Sequence, residues 1–158
     1  MGPTRIAIAA ASCTLAVLGA PLLAGCGERR EAVAPACFGT PASLLSTLRA
    51  GPPIALEGET RLSSCVSAAR TDGDLQSLGV LFIRAADELR RQARSDPGAA
   101  FALGYLSGAV SRGAAASSGA IAAQLTRRLD QVATLDPGAD SAATAALARG
   151  RGAGRRDG

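Results

Sequence analysis

Between Leu75 and Arg94 the large apolar residues recur at alternating steps of three and four: Leu75, Leu78, Phe82, Ala85 and Leu89. That spacing keeps one face of an α-helix apolar over about four turns, whereas a strand alternates with a period of two. The middle of the segment, Leu78-Gly79-Val80-Leu81-Phe82-Ile83, is apolar all round, so this helix is expected to run through the centre of the domain. Its C-terminal half is charged, and Asp87 with Arg91 and Glu88 with Gln92 have the i, i+4 spacing that supports an exposed helix end.

Other helices are punctuated by Gly and Pro. Thr40-Pro41 is a helix start, and Leu44, Leu45 and Leu48 give a short helix that stops at Gly51-Pro52-Pro53. A second is expected between Gly58 and Arg70, with Leu62, Cys65, Val66 and Ala69 on one face. Asp72-Gly73-Asp74 superficially suggests a calcium loop. The sixth position is Ser77 instead of Gly and the twelfth is Ile83 instead of Glu, so it reads as a helix cap. Ser95-Asp96-Pro97 opens a helix over Gly98 to Arg112, closed by Gly113, in which Gly104 and Gly108 allow a neighbour to approach closely. Ser117 or Ser118 caps a fifth, with Ile121, Leu125, Leu129 and Val132 inward, and a weak alanine-rich helix follows from Ala139 to Ala148. Residues 149–158 are Arg and Gly apart from Ala153 and Asp157, and are expected to be disordered.

The fold class is therefore all-α, a small orthogonal bundle of four to five helices. A short helical-repeat array is the alternative, because Asp136-Pro137-Gly138-Ala139 echoes Asp96-Pro97-Gly98-Ala99 and Phe101 to Ala109 loosely resembles tetratricopeptide and Sel1-like units.

Composition removes much chemistry. All 17 basic residues are arginine, and histidine, lysine and tryptophan are absent. There is no imidazole general base, no lysine for a Schiff base and no histidine-built zinc site. No metal and no cofactor are expected. A catalytic serine lacks an ordinary base. Adjacent Asp87 and Glu88 point about 100° apart on a helix and are flanked by arginine, which suits a solvated end better than an acid–base pair. Tyr105, the single tyrosine, reads as a core residue with a hydrogen-bonded tip. The isoelectric point near 9.4 points to no nucleic acid, since no basic stripe with stacking aromatics accompanies it.

The first residues read as an address. Arg5 precedes an apolar stretch from Ile6 to Ala20, interrupted by Ser12, Cys13 and Thr14. It is shorter than the roughly 20 residues a spanning helix needs and suits a signal peptide. Leu23-Ala24-Gly25-Cys26 follows, and here the sequence resembles bacterial lipoproteins, whose lipobox is Leu, a small residue, Gly or Ala, then Cys. The resemblance implies cleavage by signal peptidase II between Gly25 and Cys26, and lipid on the Cys26 sulfur. It also implies a protein held at the cell membrane or outer membrane on the non-cytoplasmic side.

The expected organisation is a leader over 1–25, a tether over 26–36, a helical domain over 37–148 and a tail over 149–158. Cys13 leaves with the leader and Cys26 takes lipid, so Cys37 and Cys65 remain as an even pair in an oxidising compartment. A structural disulfide is expected, against the alternative of two buried thiols.

These readings favour a non-enzymatic binding or structural module tied to the membrane through Cys26, with an envelope protein or polymer as partner. The alternative is an envelope hydrolase using Asp or Glu carboxylates that converge from separate helices. A third reading gives the arginine-rich tail a grip on anionic head groups. Paired carboxylates in a pocket would favour the hydrolase, and a continuous exposed apolar groove the binding module.

Overall fold

The computed structural model describes residues 32–117 and 119–158. Among these residues six α-helices form: α1 (Pro41–Arg49), α2 (Leu62–Ala68), α3 (Asp72–Gln92), α4 (Pro97–Ala115), α5 (Ala120–Val132) and α6 (Ser141–Asp157). Short 3-10 turns at Pro35–Phe38 and Glu57–Glu59 precede α1 and α2, and no strand forms among the described residues. The chain is a small all-α bundle.

Local signals explain most of the helix starts. Thr40 and Ser43 form a reciprocal capping box before α1, with Pro41 at the first helical position. Thr71 and Asp74 do the same for α3, so the cap lies one residue ahead of the Asp72-Gly73-Asp74 run. Thr71 donates to the Asp74 carboxylate and holds its pKa below the ordinary value. Asp96 caps α4 by accepting from Gly98 N at 2.8 Å. The helix before α5 ends at Ala115 instead of Gly113, and the α5 N-cap is Gly119, with no side-chain cap; Ser117 does not supply one and Ser118 lies outside the described residues.

The second Asp-Pro-Gly-Ala run is not a second helix start. Asp136 to Ala139 closes a turn, with Ala139 N donating to Asp136 O at 2.9 Å, and α6 begins two residues later. The two runs therefore occupy different structural settings, and the bundle replaces the repeat alternative.

The helix at the centre is α4. It packs against each of the other five helices, and its residues from Ala102 to Val110 are all buried. The α3 stripe is real, with Leu78, Phe82, Ala85 and Leu89 fully buried. However, Val80 stands 56% exposed and Ile83 only partly covered, so the apolar middle of α3 is not enclosed on all sides. Sequence hydropathy favoured α3 because its residues are large. What decides centrality is the small residues of α4, which let neighbours come close all round.

The expected disordered tail is helical. α6 runs to Asp157 against α4, and this pair forms the most extensive contact between helices among the described residues. Gly104 and Gly108 of α4 lie against backbone of Leu147, Arg151 and Arg155, while Gly150 and Gly154 of α6 lie against backbone of Phe101, Tyr105 and Ala109. Only hydrogen occupies these crossing points, which brings the two main chains into direct apposition. The end of α6 is secured further: the Ser63 hydroxyl donates to the Gly158 carbonyl oxygen, and the Arg112 guanidinium donates to Arg156 O. Tertiary contact supplies what the sequence's low helix propensity does not, and the described residues hold six helices instead of the expected four to five.

Cys37 and Cys65 are joined by a disulfide, with Cα atoms 5.5 Å apart and both residues buried. It ties the turn ahead of α1 to the middle of α2 and closes a 28-residue separation, worth about 3.5 kcal/mol in the chain-entropy treatment. Reduction is expected to lower the urea midpoint accordingly, read from unfolding curves with and without reductant; coincident curves would show that the bridge contributes nothing.

Candidate functional site

Two of the concave surfaces, on different parts of the bundle, gather side chains of distinct chemistry. The first is a cleft of about 720 Å³ between the α1–α2 connection and the end of α6, lined by Pro53, Ile54, Glu59, Arg61, Tyr105 and Asp157 among others. Its loop is sharply shaped: Pro52-Pro53 is cis, Leu56 N donates to Thr60 O at 2.9 Å, and Gly58 and Glu59 both take positive φ. Glycine adopts such a conformation freely, whereas Glu59 is held in it by the closed turn.

Tyr105 forms the floor. Its ring is buried in α4 and its hydroxyl donates to Ile54 O at 3.2 Å, fastening the loop to the central helix. Burial, with Asp157 acting in the same direction, raises the phenol pKa, so the hydroxyl stays a protonated donor. This is the core tyrosine with a bonded tip that the sequence suggested. Glu59, Arg61, Arg156 and Asp157 stand exposed around it, and no ion pair joins any of them among the described residues.

The second surface is a groove of about 570 Å³ between α3 and α5. Leu75, Gly79, Val80, Ile83, Ile121 and Leu125 make it apolar. Gln76, Arg84, Gln124 and Arg128 form its polar rim, and no carboxylate lines it. Gly79 leaves the floor open, because a Cβ there would touch only Leu125 Cδ1, at 3.6 Å.

No protein-family model, curated protein or solved structure matches this chain.

Asp87 and Glu88 do not form a paired site. Glu88 accepts from Gln92 at 2.7 Å and pairs with Arg91, whose hydrogen bond and charge lower its pKa, while Asp87 is exposed. Nearby, Arg90 and Arg94 reach Asp136 at 3.8 and 4.0 Å. Exposed pairs of this kind contribute at most about 1 kcal/mol each. Among the described residues no three metal-ligating side chains gather, and no helix is long and apolar enough to cross a membrane. Gly25 and Cys26, the cleavage and lipidation positions, lie outside the described residues.

The residues that sequence reading missed are the rims. Glu59, Arg61 and Asp157 are brought together by the cis-proline loop and by α6, and neither leaves a periodic signal. Arg84 and Arg128 were legible only as wet-face residues of separate helices; it is the packing of α3 on α5 that sets them around one groove.

Proposed function

We propose that this chain is a lipid-anchored protein of the bacterial cell envelope that acts as a non-enzymatic binding or structural module. The observation that carries the reading is the exposed α3–α5 groove, an apolar channel with a polar, carboxylate-free rim. The lipobox Leu23-Ala24-Gly25-Cys26 after an apolar leader supports the location. The disulfide suits an oxidising compartment. The hydrolase alternative draws less support. Glu59 and Asp157 do share a cleft, but both are open to water, and a carboxylic acid that donates a proton near neutral pH needs apolar shielding.

Metabolic labelling with palmitate tests the anchor. The full-length protein is expected to incorporate label and fractionate with membranes, while Cys26→Ser remains unlabelled and at precursor size. An unlabelled wild type overturns the reading.

A further inference from the structure

Among the described residues only α3 and α5 line the groove, and its rim defines what suits it. Arg84 and Arg128 are exposed, neither is in an ion pair among the described residues, and no acid lines the channel beside them. An apolar floor with a cationic edge is the pattern of a surface that lies in the interface of an anionic bilayer, apolar side chains reaching about 5–10 Å into the headgroup and acyl boundary. A second copy of this chain fits poorly, because apposing two such grooves would set four guanidinium groups together without a carboxylate.

Covalent reach points the same way. From Cys26 to Ala32, the first described residue, is six residues, which spans at most about 22 Å at 3.3–3.6 Å each. A lipid on Cys26 therefore holds this part of the domain close to the membrane. Just beyond Ala32, the Pro35–Phe38 turn packs on α3, sharing a recess with Leu81 and Phe82. The two large apolar side chains that stand exposed among the described residues are Phe38, in that turn, and Val80, on the same helix α3. The turn meets α3 at Leu81 and Phe82, whereas the groove uses Gly79, Val80 and Ile83 on another face of the same helix. The short tether therefore keeps the whole domain near the bilayer, and the charge of the rim selects the face.

We infer that the α3–α5 groove, with exposed Val80 and half-buried Ile83 and Ile121 toward the lipid and Arg84 and Arg128 at the edge, seats on the anionic bilayer to which Cys26 is anchored. The inference rests on the proposed lipid anchor and adds the orientation of the domain on it. In the Tyr105 cleft two carboxylates balance two arginines, which leaves that surface free of the same attraction.

The chain contains no tryptophan, so Val80→Trp creates a lone reporter at an exposed position. Ala55→Trp, exposed at the charged cleft, is the control. Each full-length lipidated variant is reconstituted into vesicles of brominated phosphatidylcholine, with or without phosphatidylglycerol. The tryptophan at position 80 is expected to shift to shorter wavelength and be quenched in the anionic vesicles, and the one at position 55 in neither. Adding Arg84→Gln and Arg128→Gln should lower the docked-to-undocked ratio by about fivefold each. Labelled, vesicle-bound protein whose two tryptophans are quenched equally, or not at all, overturns the inference and leaves the anchor standing. A blue shift at position 80 without bromine quenching assigns the groove to a second copy of this chain and also overturns it. Absence of both palmitate label and vesicle association overturns the anchor and the inference with it.

Discussion

Phe82→Ala is expected to lower the stability of this chain by about 3–5 kcal/mol, a large share of the roughly 5–15 kcal/mol that holds a domain of this size together. Phe82 is fully buried on α3, whereas Phe38 is exposed and Phe101 only partly covered, so no other phenylalanine occupies the interior completely. The ring lies behind the recess formed by Cys37, Leu44 and Leu56, where the disulfide, α1 and the α1–α2 connection converge. Removing it leaves a void between elements whose separation is fixed by a covalent bridge, which limits how far they can collapse. Thermal melts check this, with Arg155→Ala, an exposed position, as the control expected to melt like wild type. Equal melting temperatures for the two variants would contradict the burial of Phe82.

Glycines two residues apart on α6 are expected to respond with opposite sign. A Cβ on Gly150 would fall inside the contact distance of the Phe101 carbonyl oxygen and 3.0 Å from Tyr105 N. Neither obstacle can rotate aside, since both belong to the backbone of α4. Gly150→Ala therefore separates the helices, with an expected loss of about 3 kcal/mol or more. On Gly152 the added methyl meets only the Arg156 guanidinium, at 3.4 Å, a flexible end that can move. There the higher helix propensity of alanine dominates, and Gly152→Ala should stabilise by up to about 1 kcal/mol. Denaturant midpoints for the pair test the α4–α6 seam directly; two variants that shift together would show that the helices do not meet as described.

The sequence conveyed the helical elements well where apolar side chains are large. The Leu75–Leu89 stripe, the Ile121–Val132 stripe and the Thr40-Pro41 and Asp96-Pro97 starts all lie where hydropathy and capping place them. The pairing of Cys37 with Cys65 was likewise legible, as the even pair left once Cys13 and Cys26 are assigned to the expected leader and lipid. The seam was not, because its code lies in the absence of side chains. Glycine disfavours an isolated helix, so residues 149–158 resembled a tail when read alone. The usable signal was the match between two distant pairs: Gly104 and Gly108 on one helix, Gly150 and Gly154 on the other, each four apart and thus on one helix face. Both surface depressions were equally hidden. The cleft depends on a cis-proline loop meeting α6, and the groove on the way α3 and α5 lean together, relations between segments that no single window of sequence contains.

The seam also determines how this protein can change over generations. A clash between two side chains can be relieved by shrinking either one, so a core of leucines drifts through paired substitutions. At Gly104, Gly108, Gly150 and Gly154 the opposing atoms are carbonyl and amide groups of the main chain, present whatever residue is encoded there. Every replacement is larger than glycine, and no second mutation on the facing helix can delete the atom it strikes. These four positions are therefore locked individually instead of as pairs, while Arg149 and Arg155, exposed on the same helix, are free to vary. A lineage carrying this fold would show its most rigid inheritance in the stretch whose composition resembles a dispensable tail.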